Sequence, residues 1–79
     1  MMRVEVMVAS GCTLCPDAVD AVREAVRGRV DVDLQVIDID GDLDLERRHR
    51  ASIPVVLIDG EEVARYAVSV GELVARLDR

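Results

Sequence analysis

Residues 11–16, which read Gly-Cys-Thr-Leu-Cys-Pro, constrain this chain more than any other stretch. They contain the only two cysteines, Cys12 and Cys15, of a chain of 79 residues. An alternating apolar run precedes them and an amphipathic helical pattern follows them. A cysteine just ahead of a helix faces N–H groups without intrahelical partners and the positive end of the helix dipole, and both favour thiolate over thiol. Because the thiolate is the nucleophile in disulfide exchange, this stretch predicts a redox site.

Composition narrows the range of partners. The formal net charge is -6, which repels the phosphate backbone of a nucleic acid. Tyr66 is the one aromatic residue, so the chain lacks the several aromatic side chains on which single-stranded bases stack. No apolar run approaches the roughly 20 residues of a membrane span, and residues 1–6 interleave charged and apolar side chains, unlike a secretory signal. We expect neither nucleic acid nor membrane as a partner, and a cytoplasmic location. In that compartment two cysteines at this spacing are more often catalytic or metal-binding than structural.

Periodicity and turn signals predict seven elements. In chain order these are a strand over residues 3–9, a helix over 16–26, a strand over 30–36, a short helix over 42–51, strands over 55–58 and 61–66, and a helix that starts at Ser69. The third element has one polar face, which suits a sheet edge, and its helical connection predicts a parallel pair with the first strand through a right-handed crossover. The sequence therefore predicts an α/β fold of order β-α-β-α-β-β-α, with a four-stranded mixed sheet and three helices, in a single domain over residues 1–79.

Local signals support the boundaries of these elements. Gly28 is placed to end the first helix, and Asp59-Gly60 lies between two strand-like runs as a hairpin turn. Ser69, with Glu72 three residues later, predicts a capping box. The acidic residues Asp38, Asp40, Asp42 and Asp44 are interpreted as helix caps and a solvated loop, Leu43 is expected to face inward, His49 to be solvated and Tyr66 to pack at a strand end.

With this element order the chain resembles the thioredoxin superfamily, and is most similar to its minimal glutaredoxin-like and thioredoxin-like members. The resemblance covers nearly the whole chain and is carried by residues 12–16, by Ile53-Pro54 ahead of the third strand, and by the final hairpin and helix. It implies a thioredoxin-like fold and a dithiol-disulfide oxidoreductase without a cofactor. It also implies that Cys12 is the nucleophile and that Cys15 is the resolving cysteine.

The resemblance further implies a substrate surface and partners. Pro54 falls on the family's cis-proline, the Ile53 backbone would pair with an extended substrate, and Thr13 and Leu14 would complete the substrate-binding residues. The implied partners are disulfide-bearing proteins and an electron donor, either a thioredoxin-reductase-type enzyme or a low-molecular-weight thiol, and the chain is expected to be a monomer.

The chain also departs from the family pattern. Gly11 replaces the tryptophan of classical thioredoxins, and Val6 stands where they carry a buried acid. Residues 65–69 lack the turn with which glutaredoxins hold glutathione. These departures favour protein disulfides over glutathione-linked substrates.

Two other functions fit the same cysteine pair. A soft-metal carrier would bind Cu(I) through both thiolates, whereas zinc would need ligands beyond Cys12, Cys15 and His49. Ferredoxin-like carriers place a methionine where this chain has Ser10, and they end on a strand, whereas a capped helix is predicted last here. A non-catalytic, redox-sensitive interaction module is the third alternative, and reducing activity towards a model protein disulfide distinguishes it. An inert structural disulfide is disfavoured because so short a loop removes little unfolded-state entropy.

Overall fold

The computed structural model describes residues 1–78 and contains the seven predicted elements in the predicted order. In chain order they are β1 (Met2–Val8), α1 (Cys15–Val26), β2 (Val32–Asp38), α2 (Leu43–His49), β3 (Val55–Ile58), β4 (Glu61–Arg65) and α3 (Val70–Leu77). The order β-α-β-α-β-β-α is therefore confirmed. No helix within residues 1–78 is both long enough and apolar enough to cross a membrane.

The four strands form one mixed sheet in the order β2-β1-β3-β4. Strand β1 is parallel to β2 and antiparallel to β3, and β3 is antiparallel to β4. The polar-faced strand β2 lies at an edge, as predicted. Because Met7 near the end of β1 pairs with Val55 at the start of β3, the residues after β1 and before β3 meet at one edge of the sheet.

The two long helices cover one face of this sheet. Helices α1 and α3 pack against each other and against β1 and β3. Seven buried residues form this core, namely Val4, Val6, Val22, Ala25, Val56, Leu73 and Leu77. Full burial of a Val or Leu side chain contributes about 1.5–3 kcal/mol, so this face supplies most of the apolar stabilisation.

The opposite face carries a smaller core. Met7, Ile39 and Val55 are buried there, and Leu45 of α2 packs against them only partly buried. Helix α2 itself contains no buried residue. Strand alternation explains the division, since Val6 and Met7 are neighbours in β1 and therefore point to opposite faces.

Three sequence-based expectations need correction. Leu43 does not face inward, since it is 69% exposed and Leu45 makes the apolar contact instead. At 100° per residue the two leucines lie about 200° apart around the helix, so only one of them can face the sheet. Strand β2 runs two residues later than predicted because pairing with Met2 begins at Val32, which leaves Val30 96% exposed. Helix α2 ends at His49 rather than at residue 51.

The predicted caps and turns are present. The Asp42 carboxylate accepts the Leu45 N–H, and the Ser69 hydroxyl accepts the Glu72 N–H. Asp59 and Gly60 have φ values of 50° and 86°, the left-handed pair that a two-residue type I′ hairpin requires. The acidic cluster therefore includes a helix cap, as interpreted from the sequence.

Candidate active site

Cys12 lies in the connection between β1 and α1, and Cys15 is the first residue of α1. Both lie at the edge of the sheet where the end of β1 meets the start of β3. Cys12 and Cys15 form a disulfide, with their Cα atoms 5.5 Å apart. The Cys12 N–H donates to the Ala9 carbonyl at 3.3 Å, and Gly11 adopts a left-handed φ of 78° within this turn. The chain thus turns sharply out of the central strand before it enters the helix.

The two sulfur-bearing residues differ in exposure. Cys15 is the first residue of α1 and is only 5% exposed, on the same buried side of the helix as Ala18 and Val22. Cys12 precedes the helix and is half-buried. Cys12 is therefore the more accessible of the two cysteines and Cys15 the more buried.

The start of α1 sets the electrostatics around the cysteines. Leu14 is the N-cap residue and no side chain caps this end, so the N–H groups of the first turn have no side-chain acceptor. Such groups and the positive end of the helix dipole stabilise a thiolate. No charged or polar side chain is buried among residues 1–78, and Val6, where thioredoxins carry an acid, is fully buried. Stabilisation of a thiolate therefore depends on the helix terminus rather than on a buried carboxyl.

The segment before β3 forms the second part of the site. The Ile53–Pro54 peptide bond is cis, as the resemblance predicts, and Pro54 is almost fully buried. The residues on either side of Ile53 make backbone hydrogen bonds. The Ser52 N–H donates to the His49 carbonyl at 2.8 Å, and the Pro54 carbonyl accepts the Tyr66 N–H at 2.9 Å. The Ile53 N–H and carbonyl make no hydrogen bond within residues 1–78.

A carboxylate in the β2–α2 loop joins the turn before Cys12 to the end of α2. Asp40 accepts the Ser10 N–H at 2.9 Å and the Arg50 guanidinium at 3.1 Å, and Arg50 also pairs with Glu46 at 3.0 Å. The Ser10 backbone hydrogen bond is the main cause that holds the pKa of Asp40 below its ordinary value, and Arg50 adds to it. Ser10 precedes Cys12 by two residues and Arg50 is the C-cap of α2, so Asp40 fixes the turn before Cys12 against the end of that helix.

Sequence reasoning assigned six residues to the site, whose roles stay predictions, and it did not predict two contacts. Thr13 and Leu14 lie exposed between the cysteines, with Leu14 48% exposed, and the three segments 12–15, 53–54 and 38–42 converge at one edge. Asp40 resembles its acidic neighbours in the sequence, so nothing marked it as a link. Tyr66 was assigned to packing, but its hydroxyl donates to the Ala51 carbonyl. Among residues 1–78 no three or more His, Cys, Asp or Glu side chains are grouped so that they could hold a metal ion.

A family profile matches almost the entire chain. The profile of the glutaredoxin-like domain aligns with residues 3–78, which include every element of the sheet and all three helices. The chain belongs to the glutaredoxin-like domain family. A search of the curated proteins finds no match.

Solved structures agree with this fold. A structural genomics target protein from X. campestris is 28% identical, with 95% of each chain covered and a TM-score of 0.77. A malarial protein is 20% identical over 99% of this chain and 94% of its own, with a TM-score of 0.76. Thioredoxin-2, a component of the malaria parasite protein secretion machinery, is 21% identical over 99% of this chain and 82% of its own, with a TM-score of 0.73. These likenesses establish a thioredoxin-like fold for this glutaredoxin-like protein.

Proposed function

We propose that this protein is a dithiol-disulfide oxidoreductase that reduces disulfides of other proteins through Cys12 and Cys15. The observation that carries the proposal is the pair itself, in which one cysteine is accessible ahead of a helix and the other is buried in its first turn. An exposed attacking thiolate and a shielded second thiol are what two successive exchanges need.

The proposed reaction has two exchange steps. The Cys12 thiolate attacks one sulfur of the substrate disulfide, which forms a mixed disulfide and releases the other substrate sulfur as a thiolate. The Cys15 thiolate then attacks the Cys12 sulfur, which forms the Cys12–Cys15 disulfide and releases the second substrate thiolate. Two electrons pass to the substrate, and the proposed donor, a thioredoxin-reductase-type enzyme or a low-molecular-weight thiol, restores both thiols.

The proposed substrate surface surrounds the cysteines. The free N–H and carbonyl of Ile53 are the groups with which an extended substrate backbone can pair, beside the buried Pro54. Thr13 and Leu14 are exposed and would contact the substrate next to the attacked sulfur. We propose that the protein acts as a monomer of one domain in the cytoplasm, where a pair at this spacing is more often catalytic than structural.

The fold favours this proposal over the soft-metal carrier. The ferredoxin-like carriers end on a strand, whereas the last described element here is helix α3, packed on α1. A non-catalytic module shares the same fold and is distinguished by its failure to reduce a protein disulfide.

Trapping of a mixed disulfide tests the assigned roles. In the Cys15→Ser variant the second exchange cannot occur, so Cys12 should hold a protein substrate as an adduct that dithiothreitol releases. The matched Cys12→Ser variant should form none. An adduct formed through Cys15 in the Cys12→Ser variant would reverse the two roles, and the absence of adducts in both variants would favour the non-catalytic module.

A further inference from the structure

Tyr66 has a backbone conformation that is unusual for its side chain. It directly follows β4 and has a φ of 65°, in the left-handed region. Five residues share a positive φ with it, and all are glycine or aspartate: Gly11, Gly28, Gly41, Asp59 and Gly60. A bulky residue is an outlier there, since contact between Cβ and the carbonyl oxygen disfavours this region for residues other than glycine, asparagine and aspartate. A conformation of this kind persists only where surrounding contacts impose it.

The contacts of Tyr66 all point to one segment. Its N–H donates to the Pro54 carbonyl at 2.9 Å, and its hydroxyl donates to the Ala51 carbonyl, also at 2.9 Å. These two acceptors are the first and last residues of the segment 51–54. A single residue from the β4–α3 connection therefore holds the segment at both ends, with Ile53 between them.

Core packing does not account for this placement. Tyr66 is 47% exposed and belongs to neither apolar core cluster. The hydrogen bond to the Ala51 carbonyl comes from its side chain, whereas the bond to the Pro54 carbonyl comes from its backbone N–H. Pro54 is buried and Ile53 packs against the smaller core, so the hydroxyl bond mainly fixes the exposed end of the segment at Ala51, next to helix α2, which contains no buried residue.

We propose that Tyr66 is a positioning residue that fixes segment 51–54 so that the Ile53 backbone faces a substrate chain. This inference rests on the proposed disulfide reductase activity. Tyr66 does not touch the sulfurs in this role. It acts through the segment, by keeping the Ile53 N–H and carbonyl oriented while both neighbouring residues are bonded. Its loss should therefore weaken the binding of a polypeptide substrate and leave the chemistry of the cysteines unchanged.

The test compares a polypeptide disulfide with a small one. Insulin can pair with the Ile53 backbone, whereas bis(2-hydroxyethyl) disulfide has no peptide groups to do so. With dithiothreitol as donor, Tyr66→Phe should raise KM for insulin about two- to tenfold, as expected for loss of one hydrogen bond, with kcat unchanged. KM and kcat for bis(2-hydroxyethyl) disulfide and the reduction potential of the cysteine pair should stay at their wild-type values. Tyr66→Gly, which relieves the left-handed strain and keeps the N–H, should raise KM for insulin at least as much.

Ser69→Ala is the matched control. It also removes one hydroxyl hydrogen bond, the one that the Ser69 hydroxyl accepts from the Glu72 N–H, but at the start of α3 rather than at segment 51–54. This variant should lower thermal stability and leave KM for insulin unchanged. An unchanged KM for insulin in Tyr66→Phe, or an equal loss towards both disulfides, would overturn the positioning role.

Amide hydrogen exchange separates this inference from the proposed activity. If the wild-type protein reduces neither disulfide, the proposed function fails, and exchange at the amides of residues 52 and 66, which donate to His49 and Pro54, then decides the role of Tyr66. Faster exchange at these two amides in Tyr66→Phe, with unchanged exchange in α1, would support the positioning role. Equal exchange in the variant and the wild type would overturn it.

Discussion

The two faces of the sheet are held in different ways. On the face covered by α1 and α3, seven buried apolar residues form the core, and four of the twelve residues of α1 are buried. On the other face three residues are buried, and α2 contributes none of them. Polar contacts replace burial there, with Asp42 as the cap of α2, Arg50 paired with Asp40 and Glu46, and Arg3 beside Glu5 at 3.6 Å.

The difference divides the candidate site between two kinds of support. Cys15 belongs to α1 and shares its buried side, so apolar packing fixes the second cysteine. In the segment 51–54 Pro54 is buried and Ile53 packs against the smaller core, whereas the exposed Ala51 follows the weakly packed helix α2 and accepts the Tyr66 hydroxyl. We therefore expect substitutions in the main core to lower the stability of the whole fold. Substitutions of the polar contacts should instead change local structure near the proposed substrate-binding residues.

The largest effect is expected from a cavity on the α1–α3 face. Leu73→Ala removes a side chain that is 3% exposed in the main core, and such a change costs about 2–5 kcal/mol of unfolding free energy. Chemical denaturation followed by circular dichroism measures this change. A loss below about 1 kcal/mol would show that this face does not carry the stability of the fold.

A smaller and more local effect is expected from Asp40→Ala. The variant loses the hydrogen bond from Ser10 and the ion pair with Arg50, so the turn before Cys12 and the end of α2 lose a shared anchor. Amide exchange should become faster at Ser10 and around Arg50, with a modest fall in melting temperature and unchanged exchange in α1.

The matched control for Asp40→Ala is Asp44→Ala. Asp44 is a carboxylate of the same acidic cluster, but its side chain makes no ion pair or hydrogen bond within residues 1–78. Equal changes in the two variants would show that the cluster acts through its net charge and not through the link made by Asp40.

The stabilisation of the fold by Asp40 should also decrease at low pH. Because the pKa of Asp40 is lowered in the folded protein, mainly by the Ser10 N–H, its stabilising effect is fully present above the ordinary carboxyl range. The effect is lost as pH falls through the lowered pKa. The difference in melting temperature between wild type and Asp40→Ala should therefore stay constant at neutral pH and close as pH falls below about 4, the ordinary value for a carboxyl group. A difference that stays constant as pH falls below this value would contradict the anchoring role of the charged carboxylate.

The smallest effect is expected at Leu43. This side chain is 69% exposed on α2, so Leu43→Ala should change the unfolding free energy by less than about 0.5 kcal/mol. Leu45→Ala, at the position that contacts the smaller core, should cost more. A larger loss of unfolding free energy for Leu43→Ala than for Leu45→Ala would show that Leu43 faces inward, as the sequence predicts, and not outward.

The contrast between the faces also explains what the sequence could predict. Helix α1 was identifiable because its apolar stripe, Pro16 at its start and Gly28 after its end agree with one another. The hairpin at Asp59-Gly60 and the cap at Ser69 are short-range signals that tertiary packing did not override. Both cysteines and Pro54 stand at fixed places beside recognisable elements, so the resemblance could assign roles to them, and those roles stay predictions.

The remaining features depend on contacts between distant residues. Leu43 and Leu45 have the same chemistry, and only the phase of α2 against the sheet decides which of them packs. The hydroxyl of Tyr66 donates to the carbonyl of Ala51, fifteen residues earlier in the chain, and no local sequence pattern predicts a hydrogen bond between residues so far apart. Asp40 differs from the acidic residues around it only by its link to Ser10 and Arg50.

The reduction potential of the Cys12–Cys15 pair tests the central proposal most directly. The metal-free protein is equilibrated against glutathione and dithiothreitol buffers, and the free thiols are counted at each potential. A working dithiol reductant predicts a single reversible two-electron transition between about -200 and -280 mV. Failure to form a reversible intramolecular disulfide, or thiols that appear only after a chelator removes a metal, would contradict the proposal and favour the metal carrier.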